Sequence, residues 1–162
     1  MGHDQRGFSL IELLIVVAII LIIAAIAIPN FLRSRIAANQ ASALESMRTI
    51  STAEVGYSTT YGTGFSISLS ALGPPPSGQS VTSTAAGLLD ETLAAGAKSG
   101  YSFIYTPSLY NAATGTWNGY TVQGNPITFG QTGGVYYYSD QSFVIRANST
   151  TTAGSTDSAV GD

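Results

Sequence analysis

The distribution of apolar and polar side chains marks out a long apolar segment near the N-terminus. Residues 13–28 form an unbroken apolar run, and extending it back to Phe8 adds only Ser9 and Glu12 as polar interruptions. A helix of this length, rising about 1.5 Å per residue, would cover roughly 30 Å, the thickness of the hydrocarbon core of a bilayer. The pattern therefore predicts an apolar helix of membrane-spanning length.

A different pattern follows the apolar run, beyond Pro29. A proline inside a helix removes one backbone hydrogen bond, so the helix either ends at Ile28 or continues with a kink. Residues 33–61 favour continuation, because they are rich in helix formers and stop at the glycine exit that begins with Gly62. Their apolar side chains recur at three- and four-residue steps, which predicts an amphipathic helix. The apolar stripe consists of Ile36, Ala43, Leu44, Met47, Ile50, Ala53 and Tyr57.

The third pattern, from Tyr101 onward, has a period of two residues. Aromatic and β-branched residues there alternate with small polar ones between Asn, Gly and Pro turns, which predicts about four short antiparallel strands. Residues 62–100 look like a connecting region with a proline-rich loop and one short helix within residues 87–96, its inner side formed by Leu88, Leu89 and Leu93. The strands are expected around Tyr101–Tyr105, Tyr120–Val122, Val135–Tyr138 and Phe143–Ile145. The fold class is therefore α+β.

Charge and composition exclude several classes of function. The net charge of −3 and the pI near 4.9 argue against nucleic-acid binding, which needs clustered Lys and Arg. The chain has no cysteine, so it cannot form a disulfide or a thiolate metal site, and its only histidine is His3. No Ser-His-Asp set or metal-histidine site can be assembled from the rest of the chain. We therefore expect no enzyme activity and no cofactor.

Two ordinary interpretations of the N-terminal segment leave features unexplained. A secretory signal peptide has an apolar run of about 7–15 residues followed by a small-residue cleavage site, and this run is longer and leads into Pro29 instead. A plain transmembrane anchor fits the length but not Glu12. A carboxylate within an apolar helix costs about 2.5–3.5 kcal/mol on insertion scales, so a functional partner for Glu12 is expected.

The residues around the start of the apolar run carry a resemblance to a known family. The segment RGFSLIELLIV, residues 6–16, resembles the cleavage and methylation segment shared by type IV pilins and type II secretion pseudopilins. The resemblance is close from Gly7 to Arg33 and implies that a prepilin peptidase cuts between Gly7 and Phe8 and then methylates the new amino group of Phe8. Glycine at the cut presents no side chain, so an extended backbone can enter the protease site.

The resemblance also implies a fold, a location and partners. The fold would be that of type IV pilins, in which a long N-terminal α-helix packs through its C-terminal half on a small antiparallel sheet. The chain would divide into a leader (1–7), a transmembrane and polymerisation helix (8–32), the amphipathic continuation of that helix (33–61) and a β headgroup with a mobile C-terminal tail (62–162). The precursor would cross the inner membrane once with its leader in the cytoplasm, although Arg33 and Arg35 against Arg6 alone favour the opposite orientation.

The expected partners follow from polymerisation into a surface pilus for adhesion or twitching motility. They are copies of the chain itself, the prepilin peptidase, an inner-membrane assembly platform and, before assembly, the lipid bilayer. Glu12 would pair with the amino group of Phe8 in a neighbouring subunit and so set the stagger between subunits, since an unpaired charge in a low-dielectric core is very costly. We also expect the helix near Pro29, over residues 21–30, to lose order on assembly.

The main alternative is a major or minor pseudopilin of a type II secretion system. Major pseudopilins carry a calcium loop near the C-terminus, and the spacing of Asp140, Asp157 and Asp162 does not resemble it. The tyrosines suggest another hypothesis, that a row of aromatic side chains lines a filament and binds surfaces or passes charge. We expect the tyrosines instead to be core residues whose polar tips reach the surface.

Overall fold

The computed structural model describes residues 8–161, and it divides the chain into two compact units, Met1–Arg35 and Ile36–Asp162. Helix α1 is a single 52-residue helix, Leu10–Tyr61, so the predicted continuation beyond Pro29 is confirmed. The other elements are α2 (Leu69–Leu72), α3 (Glu91–Ala94), β1 (Ala97–Lys98), β2 (Tyr101–Asn111), β3 (Thr116–Pro126), β4 (Tyr136–Asp140) and β5 (Arg146–Asn148). The predicted α+β class is confirmed.

Helix α1 ends where a glycine takes up a left-handed conformation. Gly62 has φ 65°, and its N–H donates to the carbonyl of Ser58 at 3.0 Å. A residue with a side chain is strained in this conformation, whereas glycine adopts it readily and commonly ends a helix. The predicted glycine exit from the helix is therefore confirmed.

The strands form one antiparallel sheet in the order β1-β2-β3-β4-β5. The strands predicted from the period-two pattern are confirmed for β2 and β3. Their buried face carries Tyr101, Phe103, Tyr120 and Val122. Strand β1 was not predicted, because two residues are too few to display a period. The sheet therefore has five strands where the sequence indicated about four.

The last predicted strand is displaced along the chain. Phe143 and Ile145 were expected to form it, but β5 begins at Arg146. Phe143 lies in a turn with φ 63°, and its N–H donates to the carbonyl of Asp140 at 2.9 Å. The backbone there closes a turn after β4, so it cannot also pair with a neighbouring strand.

The hydrophobic core of the second unit lies between α1 and the sheet. The predicted stripe is confirmed, since five of its seven members are buried and the other two, Ile36 and Leu44, are half-buried. Each large apolar side chain that is fully buried contributes about 1.5–3 kcal/mol to the free energy of folding. This core is therefore the main source of stability of the unit. The tyrosines at 57, 101, 120 and 137 are part of it. The core buries Ala43, Met47, Ile50, Ala53 and Tyr57 from the helix against Leu69, Leu72, Leu89, Leu93, Tyr101, Phe103, Tyr120, Val122 and Tyr137.

The connecting region contains two one-turn helices where one longer helix was predicted. Asp90 caps α3 by accepting the N–H of Leu93 at 3.0 Å, and its other oxygen accepts from Lys98 at 2.8 Å. Leu89 and Leu93 are buried as predicted, but the expectation that Leu88 faces inward is wrong, since it remains 39% exposed. Leu88 precedes the cap, and its backbone pairs with the carbonyl of Leu72.

The C-terminal segment is held by hydrogen bonds, one of the two ways open to a chain that lacks a disulfide. The N–H of Val160 donates to the carbonyl of Ile145 at 2.8 Å, and the side chain of Asn148 donates to Asp157 at 2.8 Å. The composition of the tail had suggested that it is exposed throughout. That expectation is wrong, since Ala153 is only 1% exposed. Composition failed here because the contacts are made by backbone groups and small side chains.

Candidate assembly segment at the N-terminus

The start of α1 is capped by the residue on which the assembly hypothesis depends. The backbone N–H of Ser9 donates to Oε2 of Glu12 at 2.9 Å, and the N–H of Leu13 donates to the carbonyl of Ser9 at 3.2 Å. A glutamate at the third helical position that reaches back to the cap residue is half of a capping box, which satisfies one of the free N–H groups at a helix start. Glu12 therefore has a structural role within its own chain.

The predicted cleavage site is only partly described. Gly7 lies outside residues 8–161, whereas Phe8 is 81% exposed and precedes the first helical turn. Cleavage and methylation at these two residues remain predictions. The Ser-x-x-Glu spacing was a sequence signal for the cap at Ser9, and we did not predict that cap.

The apolar run lies on α1 with its side chains exposed. Large apolar residues from Leu13 to Ile28 are about half or more exposed, and the most apolar window of α1 is not buried at all within the described chain. By length and composition α1 can cross a membrane. A continuous apolar surface of this size on a water-soluble monomer would be exceptional, so lipid or other protein must cover it. The prediction of a membrane-length helix is thus consistent with this exposure.

Pro29 lies inside the helix without ending it. Proline lacks the N–H that would bond to the carbonyl four residues earlier, so one backbone bond is missing at this point. The next residue, Asn30, donates its side-chain amide to the carbonyl of Ile26 at 3.0 Å. This local bond supplies the polar amide with a partner inside an apolar stretch, and it was not predicted from the sequence. The order-to-disorder change at residues 21–30 stays a prediction.

The segment also matches known proteins. A family profile described as "Prokaryotic N-terminal methylation motif" matches residues 2–28. The chain carries a prokaryotic N-terminal methylation motif. The resemblance to type IV pilins drawn from the sequence is thereby confirmed for this segment, which contains three of the four predicted site residues, Gly7, Phe8 and Glu12, and ends one residue before Pro29.

Two curated proteins that are similar to this chain are named as pilus proteins. The chain is 50% identical over 53 residues to the type IV major pilin protein PilA of Myxococcus xanthus, a match that covers 33% of the chain and 24% of that protein. It is 60% identical over 37 residues to the type IV wide pilus major component PilA4 of Thermus thermophilus, covering 23% of the chain and 28% of that protein. The matched part thus spans about a quarter of each relative's length, and no solved structure matches the chain significantly.

Within residues 8–161, His, Cys, Asp and Glu form no group of three that could hold a metal ion. The two members of the acidic pair, Asp90 and Glu91, begin α3, where an acidic side chain is favoured by the helix dipole.

One buried carboxylate on α1 was missed by sequence reasoning. Glu54 is 0% exposed on the inner face of α1 and accepts two hydrogen bonds from Ser66. A signal was available, because Glu54 falls four residues after Ile50 and three before Tyr57, on the apolar stripe itself. The pairing with Ser66 was not readable, since it depends on how the chain returns after the glycine exit.

Proposed function

We propose that this chain is a structural subunit, the major pilin of a type IV pilus. It is held in the inner membrane as a prepilin with its leader in the cytoplasm, is cleaved between Gly7 and Phe8, and is methylated at Phe8. It then polymerises through α1 into a filament on the cell surface that serves adhesion or motility. The observation that carries the proposal is an exposed apolar helix whose first part, up to Ile28, lies within the matched methylation motif.

The exposed apolar surface supports a two-stage life for the helix. Without a membrane, residues 13–28 would have to be covered at once, so the bilayer is the natural place for the precursor to be held. Leaving the bilayer is possible only if an equally apolar environment replaces the lipid. Neighbouring copies of the same helix supply that environment, since each presents apolar side chains around its whole circumference.

The carboxylate of Glu12 supports the same sequence of states. In the bilayer it lies near the end of the apolar segment, where its cost is tolerable because it bonds to the Ser9 backbone and can reach the interface. In a filament core it would be buried by neighbouring helices and would need a cation. The only cation that cleavage creates in this region is the amino group of Phe8, which a neighbouring subunit would present.

Expression of the full chain in a host that has a pilus machinery but lacks its own major pilin tests the proposal. Filaments sheared from the cells should contain this chain as their main protein, and cells without the chain should yield none. Loss of protein secretion in a knockout of the source organism, with no filaments containing the chain, would instead indicate a pseudopilin. Retention of the whole chain in the membrane fraction, without effect on filaments or secretion, would indicate a plain anchor.

A further inference from the structure

The second unit contains an acidic side chain on α1 that is fully buried and forms no ion pair within the described residues. Both Glu54 and Ser66 are 0% exposed. The N–H of Ser66 donates to Oε2 of Glu54 at 2.9 Å, and the Ser66 hydroxyl lies 2.5 Å from Oε1. The ion pairs within residues 8–161 are Arg48 with Glu45 and Lys98 with Asp90, so none involves Glu54. A buried ionised carboxylate without a cation is costly, because it gives up its hydration.

The bonds of Glu54 fasten one particular segment of chain. Residues 62–68 connect the end of α1 to α2 and return along the helix. Ser66 is bonded on one side to Glu54, and its carbonyl accepts the hydroxyl of Tyr105 of β2 at 2.9 Å. One residue earlier, the N–H of Phe65 donates to the carbonyl of Trp117 of β3 at 2.7 Å. Glu54 is therefore the side chain of α1 that is hydrogen-bonded to this segment.

Among the ionisable groups that face one another in this part of the core, Glu54 is the one expected to titrate near neutral or mildly acidic pH. Residues 62–68 contain no ionisable side chain. Tyr105 of β2 and Tyr120 of β3 face the carboxyl, and burial above all, together with the charge of Glu54, raises the pKa of both phenols. Asp140 at the end of β4 also acts on Tyr120, and the charged groups Glu45 and Arg48 of α1 are exposed on its outer surface.

The geometry accommodates both protonation states of the carboxyl. When it is ionised, it accepts from both the N–H and the hydroxyl of Ser66. When it is protonated on Oε1, it can donate to the Ser66 oxygen, and the Ser66 hydroxyl can turn to the carbonyl of Ser68, 3.1 Å away. All groups are then satisfied without a buried charge. Burial raises the pKa of Glu54, and its bonds to Ser66 oppose that shift only in part.

We propose that Glu54 is a proton-operated clamp, which fastens residues 62–68 to α1 as the neutral acid and loosens them when it loses its proton. The clamp makes the headgroup respond to the pH around it. It is independent of cleavage and polymerisation, because every group that forms it lies within the second unit. Glu54 determines only how firmly residues 62–68 are held against α1, and it takes part in no chemical reaction.

The sign of the pH effect follows from linkage. The folded chain holds the proton more tightly than the opened one, where Glu54 has its ordinary pKa of 4.5. The clamp is therefore complete below pH 4.5 and weakens as the pH rises to the folded pKa. Over that window the opening equilibrium of the segment rises by up to about tenfold per pH unit, and above it the dependence ends.

Hydrogen exchange of the full chain in detergent micelles tests the clamp. The protection factors of the Phe65 and Ser66 amides, corrected for the intrinsic pH dependence of exchange, should fall by up to about tenfold per pH unit above 4.5. Glu54→Gln keeps the shape and can still bond to Ser66, and its protection should be independent of pH. Glu45→Gln, which removes an exposed carboxylate of the same helix, should behave as the unaltered chain does.

Direct titration gives a second readout that needs no variant. The carboxyl carbon of Glu54, followed by NMR in the unaltered chain, should titrate with a midpoint above 4.5. A midpoint at or below that value would overturn the proposal even if Glu54→Gln fails to fold. So would a Glu54→Gln chain whose segment keeps the pH dependence of the unaltered protein.

Discussion

Glu12 has two possible roles in this chain, and substitutions can separate them. In the structure its carboxylate caps the helix by accepting the Ser9 N–H at 2.9 Å. In the proposed filament it also neutralises the amino group of Phe8 in a neighbouring subunit. Glu12→Gln preserves the cap, because glutamine serves at this position of a capping box, but it removes the charge. Glu12→Ala removes both.

The two roles differ in magnitude. Loss of a helix cap costs about 0.5–2 kcal/mol. Leaving one member of a buried ion pair without its partner costs about 3–5 kcal/mol, which is on the order of 10²–10⁴-fold in the association of each subunit. The neutral side chain is also easier to keep in the bilayer, and this acts in the same direction. If Glu12 pairs with the amine, Glu12→Gln should therefore assemble almost as poorly as Glu12→Ala.

The assay compares the sheared filament fraction with the membrane fraction of the same cells. Both variants should be processed normally and accumulate in the membrane, with filament yield reduced by at least tenfold. Glu45→Gln, which removes an exposed carboxylate of α1, serves as the matched control and should assemble normally. A wild-type filament yield from Glu12→Gln, with a reduced yield from Glu12→Ala, would mean that Glu12 is only a cap and would refute the pairing.

Three further substitutions, one of them with a matched control, test other parts of the account. Gly7→Trp should leave an uncleaved precursor in the membrane, and a normal mature chain by mass spectrometry would contradict the cleavage site. Gly133→Ala should lower the free energy of unfolding by about 1–3 kcal/mol, because its new Cβ would lie 2.1 Å from the Tyr101 hydroxyl. Gly134→Ala meets nothing closer than 3.6 Å and should be nearly neutral; denaturation followed by the fluorescence of the single tryptophan compares the two. Pro29→Ala should keep the helix ordered in filaments where the unaltered chain loses order, and equal order by cryo-electron microscopy would exclude proline as the cause.

The features that the sequence predicted well are those with a period. The long helix, its apolar stripe and strands β2 and β3 each extend over enough residues for a repeat of 3.6 or 2 to be visible. The N-terminal segment was predictable for another reason, because its residue types and spacing are unusual in combination. The helix cap at Ser9 could have been predicted as well, since the Ser-x-x-Glu spacing of residues 9–12 lies in the same segment.

The features that were missed depend on contacts between distant parts of the chain. Glu54 lies on the stripe, but only the return of the chain after Gly62 brings Ser66 to it. The displacement of β5 depends on the turn at Phe143, whose left-handed backbone is unusual for an aromatic residue. Neither event leaves a periodic trace in the sequence, so local patterns could not reveal them.

The central claim is that this chain is processed at Gly7 and assembled through the helix that begins at Phe8. Mass analysis of the protein recovered from sheared filaments tests it most directly. The account predicts a chain that begins at Phe8 and carries one additional methyl group on its amino terminus. A filament protein that still contains residues 1–7, or that begins at any other residue, would contradict it.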